Sequence, residues 1–302
     1  MKKEIWNFDS HGITLYGNVY VADNPKGIVE IVHGMAEHRK RYEDFCTYLA
    51  NNGYTAVVYD QRGHGETAGS VEKLGYMDDT NNFKILVSDA KLVNNEIKNK
   101  FKKLPVYLLG HSMGSFISQR FIELYGDSIS GVILSGTNYN KGLMINVGYK
   151  IAKGEVKKHG RKYLSEKMNK LSFASYNNSI KNVRTSFDWL SINKNNVDKY
   201  IADPYCGTVF STSFFMDMLN EFKETSAYFD KIRKDLPIFI AGGKYDPVGK
   251  SGKGPNKLLQ EYTKKQGIED VALKLYEARH EILNDNVKKE VYEDILEWLK
   301  KH

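Results

Sequence analysis

Gly110-His111-Ser112-Met113-Gly114 sits inside VYLLGHSMGSFISQRFI (106–122), where a strand-like apolar run meets apolar residues at helical spacing. G-x-S-x-G in that setting places a serine on an abrupt strand-to-helix turn, with its hydroxyl projecting clear of the sheet. Small residues two places to either side let strand and helix approach. At a helix N-terminus the free amides and the dipole favour negative charge. The pattern therefore suits a nucleophile, and Ser112 is the candidate. The plainer alternative is that the glycines serve packing alone.

A serine nucleophile needs a base. Of the chain's eight histidines, His280 follows the last strand-like run and precedes the last helix. That loop belongs at the carboxyl end of a parallel sheet, beside the serine turn. His111 adjoins Ser112 in sequence and is expected to point away from it. The base in turn needs an acid to orient its imidazole. Asp246, in PIFIAGGKYDPVGK, lies just past another apolar run. The rival reading of Asp246 is an Asx turn before Pro247. The oxyanion of the transition state wants backbone N–H donors. Met113, directly after the nucleophile, offers one. Met35, after His33-Gly34 at the end of GIVEIVHG, offers the second.

Other residues leave two readings open. Asp60, Arg62 and His64 could form a second acid-base set, but bracing of their loop by hydrogen bonds fits better. Phe210, Phe214, Phe215, Met216 and Met218 suit either an acyl pocket or a core-facing helix; the first reading puts Phe210, Phe214 and Met218 in the substrate pocket. No glycine-rich nucleotide fingerprint, metal-ligand spacing or paired-carboxylate signature is present, so no cofactor and no metal are expected.

Positioning these groups takes a sheet. GIVEIVHG (27–34), TAVVYD (55–60), VYLLG (106–110), GVILSG (131–136), PIFIAGG (237–243) and VALKLY (271–276) read as strands, and ITLYGNVYVA (13–22) alternates like one half-buried antiparallel strand. Helical spacing over 85–101, 213–232 and the C-terminal stretch alternates with them. The fold class is therefore α/β, with a mostly parallel central sheet flanked by helices. The interval 138–208, rich in Lys, Asn and Ser, offers no buried strand. It reads as a helical cap inserted after the sixth strand, between a first core part (1–137) and a second (209–302). Ligands of open parallel sheets bind outside the carboxyl ends of the strands, where such an insertion forms a roof.

The 302 residues suffice for one large core with an insertion. No apolar run approaches the roughly 18 residues of a membrane span, and the start MKKEIWNFDSHG lacks a signal-peptide core. Cys46 and Cys206 are far apart and read as reduced thiols of a cytoplasmic protein. Residues 141–170 carry nine Lys/Arg against two Glu, an excess equal to the whole chain's +7. That segment is a solvated face, or a contact for anionic head groups and membrane surfaces at the periphery. No nucleic-acid motif accompanies it.

The order Ser112, Asp246, His280 and the local motifs resemble the α/β-hydrolase superfamily, within it the monoglyceride lipase and lysophospholipase-like (serine aminopeptidase S33-type) branch. HGMAEHRKRY (33–42) is similar to that branch's oxyanion segment, and YDQRGHGET (59–67) to its D-x-RGHG-x-S loop, with Thr67 in the serine position. GHSMGS, GGKYDPV and ARHEILND match its nucleophile, acid and base loops, and SFDWLS and DPYCG look like cap segments of bacterial members. The chain departs at Ala36, often glycine in the family, and in its lysine-rich cap. The resemblance implies a cofactor-free serine esterase acting through an acyl-enzyme on an acyl-ester lipid, a monoacylglycerol or lysophospholipid. Ser112, Asp246 and His280 would form its triad and the Met35 and Met113 amides its oxyanion hole. The rivals are a small-ester carboxylesterase, a proline-type aminopeptidase and a non-catalytic ligand-binding protein of the same fold.

Overall fold

The computed structural model describes all of residues 1–302 except Ser226. In chain order the elements are β1 (Lys2–Ile5), β2 (Phe8–Ser10), β3 (Ile13–Leu15), β4 (Gly17–Val21), β5 (Gly27–Val32), α1 (Glu43–Asn51), β6 (Tyr54–Tyr59), α2 (Asn82–Lys100), β7 (Val106–His111), α3 (Met113–Tyr125), β8 (Gly131–Ser135), α4 (Leu143–His159), α5 (Glu166–Phe173), α6 (Lys194–Ala202), α7 (Thr212–Thr225), β9 (Ile238–Gly243), α8 (Lys253–Gln260), β10 (Val271–Tyr276) and α9 (Lys288–Lys301).

Eight strands form the main sheet in the order β1-β4-β6-β5-β7-β8-β9-β10. β1, β4 and β6 pair antiparallel, and from β6 to β10 every neighbour is parallel. The inner parallel strands are buried along their whole length because helices cover both faces, which is why they read as unbroken apolar runs. Alternate residues serve opposite cores. Ile28, Val57, Leu108 and Val132 meet α2 and α3. Val29, Val58, Leu109 and Ile133 meet α1 and α9. β10 is only half-buried, as befits the strand at the edge of the sheet.

Two sequence expectations change. The stretch 13–22 is two strands rather than one. β3 joins β2 in a separate hairpin, and β4 joins the main sheet. The break falls at Tyr16, whose backbone is occupied by the loop after β6: Tyr16 N–H donates to Thr67 Oγ1 (3.0 Å) and Tyr16 O accepts from Asp60 N–H (2.8 Å). The helix expected over 213–232 crosses Ser226, which lies outside the described residues. Before it stands α7, and after it comes a short 3-10 turn, Phe229–Lys231.

Between β8 and β9 the chain forms α4, α5, α6 and α7, with 3-10 turns at Asp188–Leu190 and Phe229–Lys231. Among the described residues 138–208 contribute only an isolated bridge, Leu164 to Ser211. α4 lies against α7, which rests on α2 and α3. The loops carrying Met35, Ser112 and His280 all emerge at the carboxyl ends of parallel strands, beneath this helical segment.

Candidate active site

Ser112 caps α3 with φ 52° and ψ −117°. A non-glycine residue in that sparsely populated region costs about 1–3 kcal/mol and persists only where its surroundings impose it. Here Ser112 N–H is tied to Ser135 O (2.9 Å), and its carbonyl accepts from Ser115 N–H (2.9 Å) and Ser115 Oγ (2.6 Å). The flanking glycines are needed for close approach. A Cβ on Gly114 would stand 2.0 Å from Val32 O, and one on Gly110 2.2 Å from Gly114 O. The serine is thus pressed up between β5 and the start of α3, half-buried, facing a cavity of about 260 Å³.

His280 also lines that cavity. Its Nδ1 lies 3.0 Å from Asp246 Oδ2, off the line of an ideal N–H···O bond, and both side chains are buried. Its Nε2 has no hydrogen-bond partner among the described residues. Burial alone pulls the imidazole pKa down, but the charge of the adjacent Asp246 carboxylate outweighs this, and the net shift is upward. Asp246 has contacts compatible with both readings its sequence left open. Oδ1 accepts Val248 N–H (2.8 Å) in an Asx turn at Pro247, and Oδ2 faces His280. Gly136 takes φ +58° beside both rings, where a Cβ would meet His280 Cε1 at 2.9 Å and His111 Cε1 at 3.0 Å.

His111 is not turned away from the site. It lines the cavity with its ring 4.8 Å from that of His280. Its Nδ1 lies 3.1 Å from Ser135 Oγ. Burial, with the neighbouring His280 next in weight, brings its pKa down to about 3, so it stays neutral.

Met35 and Gly34 form the opposite lip. A Cβ on Gly34 would come 3.2 Å from Ser112 Cβ, so this loop passes directly over the serine. Met113 N–H belongs to the first turn of α3, where amides have no helical acceptor. Gly34 N–H donates to Glu37 Oε1 (2.6 Å), which also accepts from Tyr42 OH (2.8 Å). Arg41 links Glu37 to Glu281, and Asn196 Nδ2 donates to Glu281 at 2.6 Å. This buried network joins the β5 loop to the residue after His280 and to α6. Sequence reading gave Glu37, Arg41 and Asn196 no role. Glu37 and Arg41 do fall within HGMAEHRKRY, the stretch similar to the family's oxyanion segment, whereas Asn196 lies in no motif.

Ala36 has φ +59°, the left-handed region where glycine is at ease. Its carbonyl accepts from Tyr200 OH (2.8 Å) and Gly207 N–H (2.9 Å), both from the segment between β8 and β9. That segment also gives the cavity Phe173, Asn177, Phe187, Trp189 and Lys170.

Phe210, Phe214 and Met218 do not line this cavity, which corrects their assignment to a substrate pocket. Phe210 and Phe214 are wholly buried in the main core and Met218 packs against it. A helix that seals a core shows the same aromatic spacing as one that lines a pocket. Asp60, Arg62 and His64 are engaged in bracing. Asp60 accepts Arg39 N–H and Glu66 N–H (2.8 Å each), Arg62 Nε meets Asp89 Oδ2 (2.7 Å), and His64 Nδ1 lies 2.8 Å from Arg62 O. Cys46 and Cys206 are free thiols, and Cys206 stands beside His38 and Asp203.

The family model described as Serine aminopeptidase, S33 matches residues 23–287. The chain belongs to this hydrolase family. It is 28% identical over 279 residues to the monoglyceride lipase of Rattus norvegicus, covering 91% of this chain and 82% of that protein. It is 28% identical to the monoglyceride lipase of Saccharomyces cerevisiae, covering 92% and 85%. Among solved structures, a thermostable carboxyl esterase from Bacillus coagulans in complex with glycerol superposes with a TM-score of 0.91 at 24% identity, covering 100% and 99% of the two chains. A soluble variant of the S. cerevisiae monoglyceride lipase with a substrate analog gives 0.76 at 24% identity, covering 100% and 95%. These likenesses establish the α/β-hydrolase fold. No helix among the described residues is long and apolar enough to cross a membrane.

Proposed function

We propose that this hydrolase cleaves carboxylic esters of the monoacylglycerol or lysophospholipid type through an acyl-enzyme on Ser112, without a cofactor. The observation that carries the reading is His280, with Nδ1 beside a buried carboxylate and unpartnered Nε2 in a cavity shared with Ser112. Ser112 Oγ attacks the ester carbonyl and passes its proton to His280. Asp246 steadies the imidazolium, and the Met35 and Met113 amides receive the oxyanion. His280 then protonates the departing alcohol, takes a proton from water, and the resulting hydroxide releases the acid.

Residues 138–208 act in this reading as a cap that selects the ester. Phe173, Phe187, Trp189 and Leu190 present an apolar wall for an acyl chain. The two carboxylates that line the cavity, Glu37 and Glu281, are engaged by Gly34, Arg41 and Asn196. They leave no free acid for a peptide's ammonium group, which favours esters over an aminopeptidase substrate. The names of the monoglyceride lipase relatives point to the same substrates. Peripheral contact with an anionic membrane, at a cytoplasmic face, rests on α4. Leu143 and Met144 are each 77% exposed there, next to Lys141 and the lysines of 141–170.

The test is hydrolysis of acyl esters graded by chain length and head group, with fluorophosphonate labelling. Monoacylglycerols or lysophospholipids should be turned over, Ser112 should carry the label, and Ser112→Ala should lose about 10⁴-fold or more of the rate. Labelling elsewhere, or near-normal turnover by that variant, would remove the assignment.

A further inference from the structure

His38 follows β5, whereas Asp203 and Cys206 follow α6, yet one ligand atom from each falls within 4.8 Å of the others. We propose that His38, Asp203 and Cys206 hold a divalent cation of the Zn²⁺ class, with a fourth position left to water. A nitrogen, an oxygen and a sulfur donor together suit a borderline-soft ion. Mg²⁺ and Ca²⁺ want oxygen alone.

The geometry is close to what such an ion needs. Zn²⁺ binds these donors at roughly 2.0–2.3 Å, so tetrahedral ligands stand about 3.3–3.8 Å apart. His38 Nε2 and Asp203 Oδ2 are now 2.8 Å apart, a separation set by a shared proton. The ion takes that proton's place, and the pair opens by about half an ångström to admit it. Asp203 Oδ1 accepts Tyr205 N–H (2.9 Å), which fixes the carboxylate's orientation in the way outer partners orient metal ligands. His38 is buried, while Asp203 and Cys206 are partly exposed, so the site has a rigid floor and an open side for entry.

The surrounding charge is compatible. Of the cations that share a surface pocket with His38 and Asp203, Arg41 is already bound by both Glu37 and Glu281, while Lys199 on α6 is exposed to solvent. Lys40, next along the chain, is held by Glu66 at 2.7 Å. Ligation requires a thiolate and a neutral imidazole, so binding releases protons and tightens as pH rises.

Occupancy would tie the β5 loop to the segment after α6. His38 lies two residues beyond Ala36, and Cys206 adjoins Gly207, whose N–H already donates to Ala36 O. The ion thus reinforces a backbone contact over the loop that passes above Ser112. This placement stands whether or not Ser112 is the nucleophile.

The experiment titrates the intact chain, stripped with EDTA, with Zn²⁺ against a chromophoric chelator, and separately with Co²⁺ followed by absorption. One equivalent should bind, and Co²⁺ should show a thiolate-to-metal charge-transfer band. Cys206→Ala and His38→Gln should each weaken binding by more than the roughly 10–100-fold that loss of an outer-shell partner costs. Thermal melting of both variants checks that they are folded. His280→Ala should bind as wild type. The proposal is overturned by absence of a stoichiometric site, by Co²⁺ binding without the sulfur band, by affinity that survives both ligand substitutions, or by loss of the ion in His280→Ala.

Discussion

The wall of the cavity formed by Gly34, Ser112 and His280 hangs on backbone bonds and buried ion pairs, whereas the wall formed by Phe173, Asn177 and Phe187 belongs to the end of a short helix and the turns after it, with few buried residues. α3 buries most of its length. α5 buries only Met168, and α4 only Ala152 and Glu155. Trp189, Leu190 and Tyr200 make a small cluster of their own, apart from the two main cores. The first wall resists displacement because moving any piece breaks several contacts at once. The second can be redrawn by exchanging a few side chains, and it opens at low cost in buried contacts. In the proposed reading, chemistry sits on the rigid wall and choice of ester on the adaptable one.

Substitutions can break this contrast. The largest effect on the fold is expected from Phe214→Ala, which empties a fully buried site and should cost about 3–5 kcal/mol in urea unfolding with KM little changed. Its counterpart Phe173→Ala gives up ring contacts with Trp189 and Tyr176, worth about 0.5–1.5 kcal/mol each, and should raise KM for long-chain esters. A reversal of the two would show that the walls have been misjudged. Gly34→Ala comes next. The new methyl lies 2.7 Å from Glu37 Oε1 and 3.2 Å from Ser112 Cβ, so kcat should fall by about 100–1,000-fold, the usual cost of a lost oxyanion donor, with folding largely kept.

The His280–Asp246 pair sharpens the comparison through pH. Because the folded imidazole pKa is raised above its usual 6.5, kcat/KM should climb with pH through a midpoint above that figure, as the base must be neutral. The stability sign is opposite. The pair's contribution is full below the unfolded pKa and is lost as pH rises through the folded one. Unfolding measurements should therefore show His280→Gln costing more at acidic than at alkaline pH. The smallest effect belongs to the adaptable side. Each exposed lysine of 141–170 replaced by Gln should weaken binding to anionic vesicles by about 1 kcal/mol, and added salt should mimic the change. Binding indifferent to both would dismiss membrane contact.

The parallel strands and the loops at their ends were legible because each is an apolar run stopped by turn chemistry, and Ser112, Asp246 and His280 each follow a different one; β1 and β2, with the short polar sequences KKEI and FDS, were not. The structure brings Ser112 and His280 to one cavity with Asp246 behind. The split at Tyr16 was not legible, since its cause is a pair of bonds from the distant Asp60–Thr67 loop. Phe210, Phe214 and Met218 misled because periodicity reports that a helix face is covered, not by what. Asp203 and Cys206 stand three residues apart in DPYCG, but His38 is 165 residues away from Asp203. Only the folded chain brings His38 to the other two.

Ala36 holds its place in the molecule by a carbonyl oxygen rather than by its methyl group. Tyr200 and Gly207 read that oxygen, and any residue able to bear a positive φ would present it equally well. An alanine scan, which deletes side chains, is blind to such a joint. It would report Tyr200 and pass over position 36, although both ends belong to one latch. Homologues could therefore differ at this position while keeping the latch, and proline at 207, which has no N–H to offer, would open it from the other side.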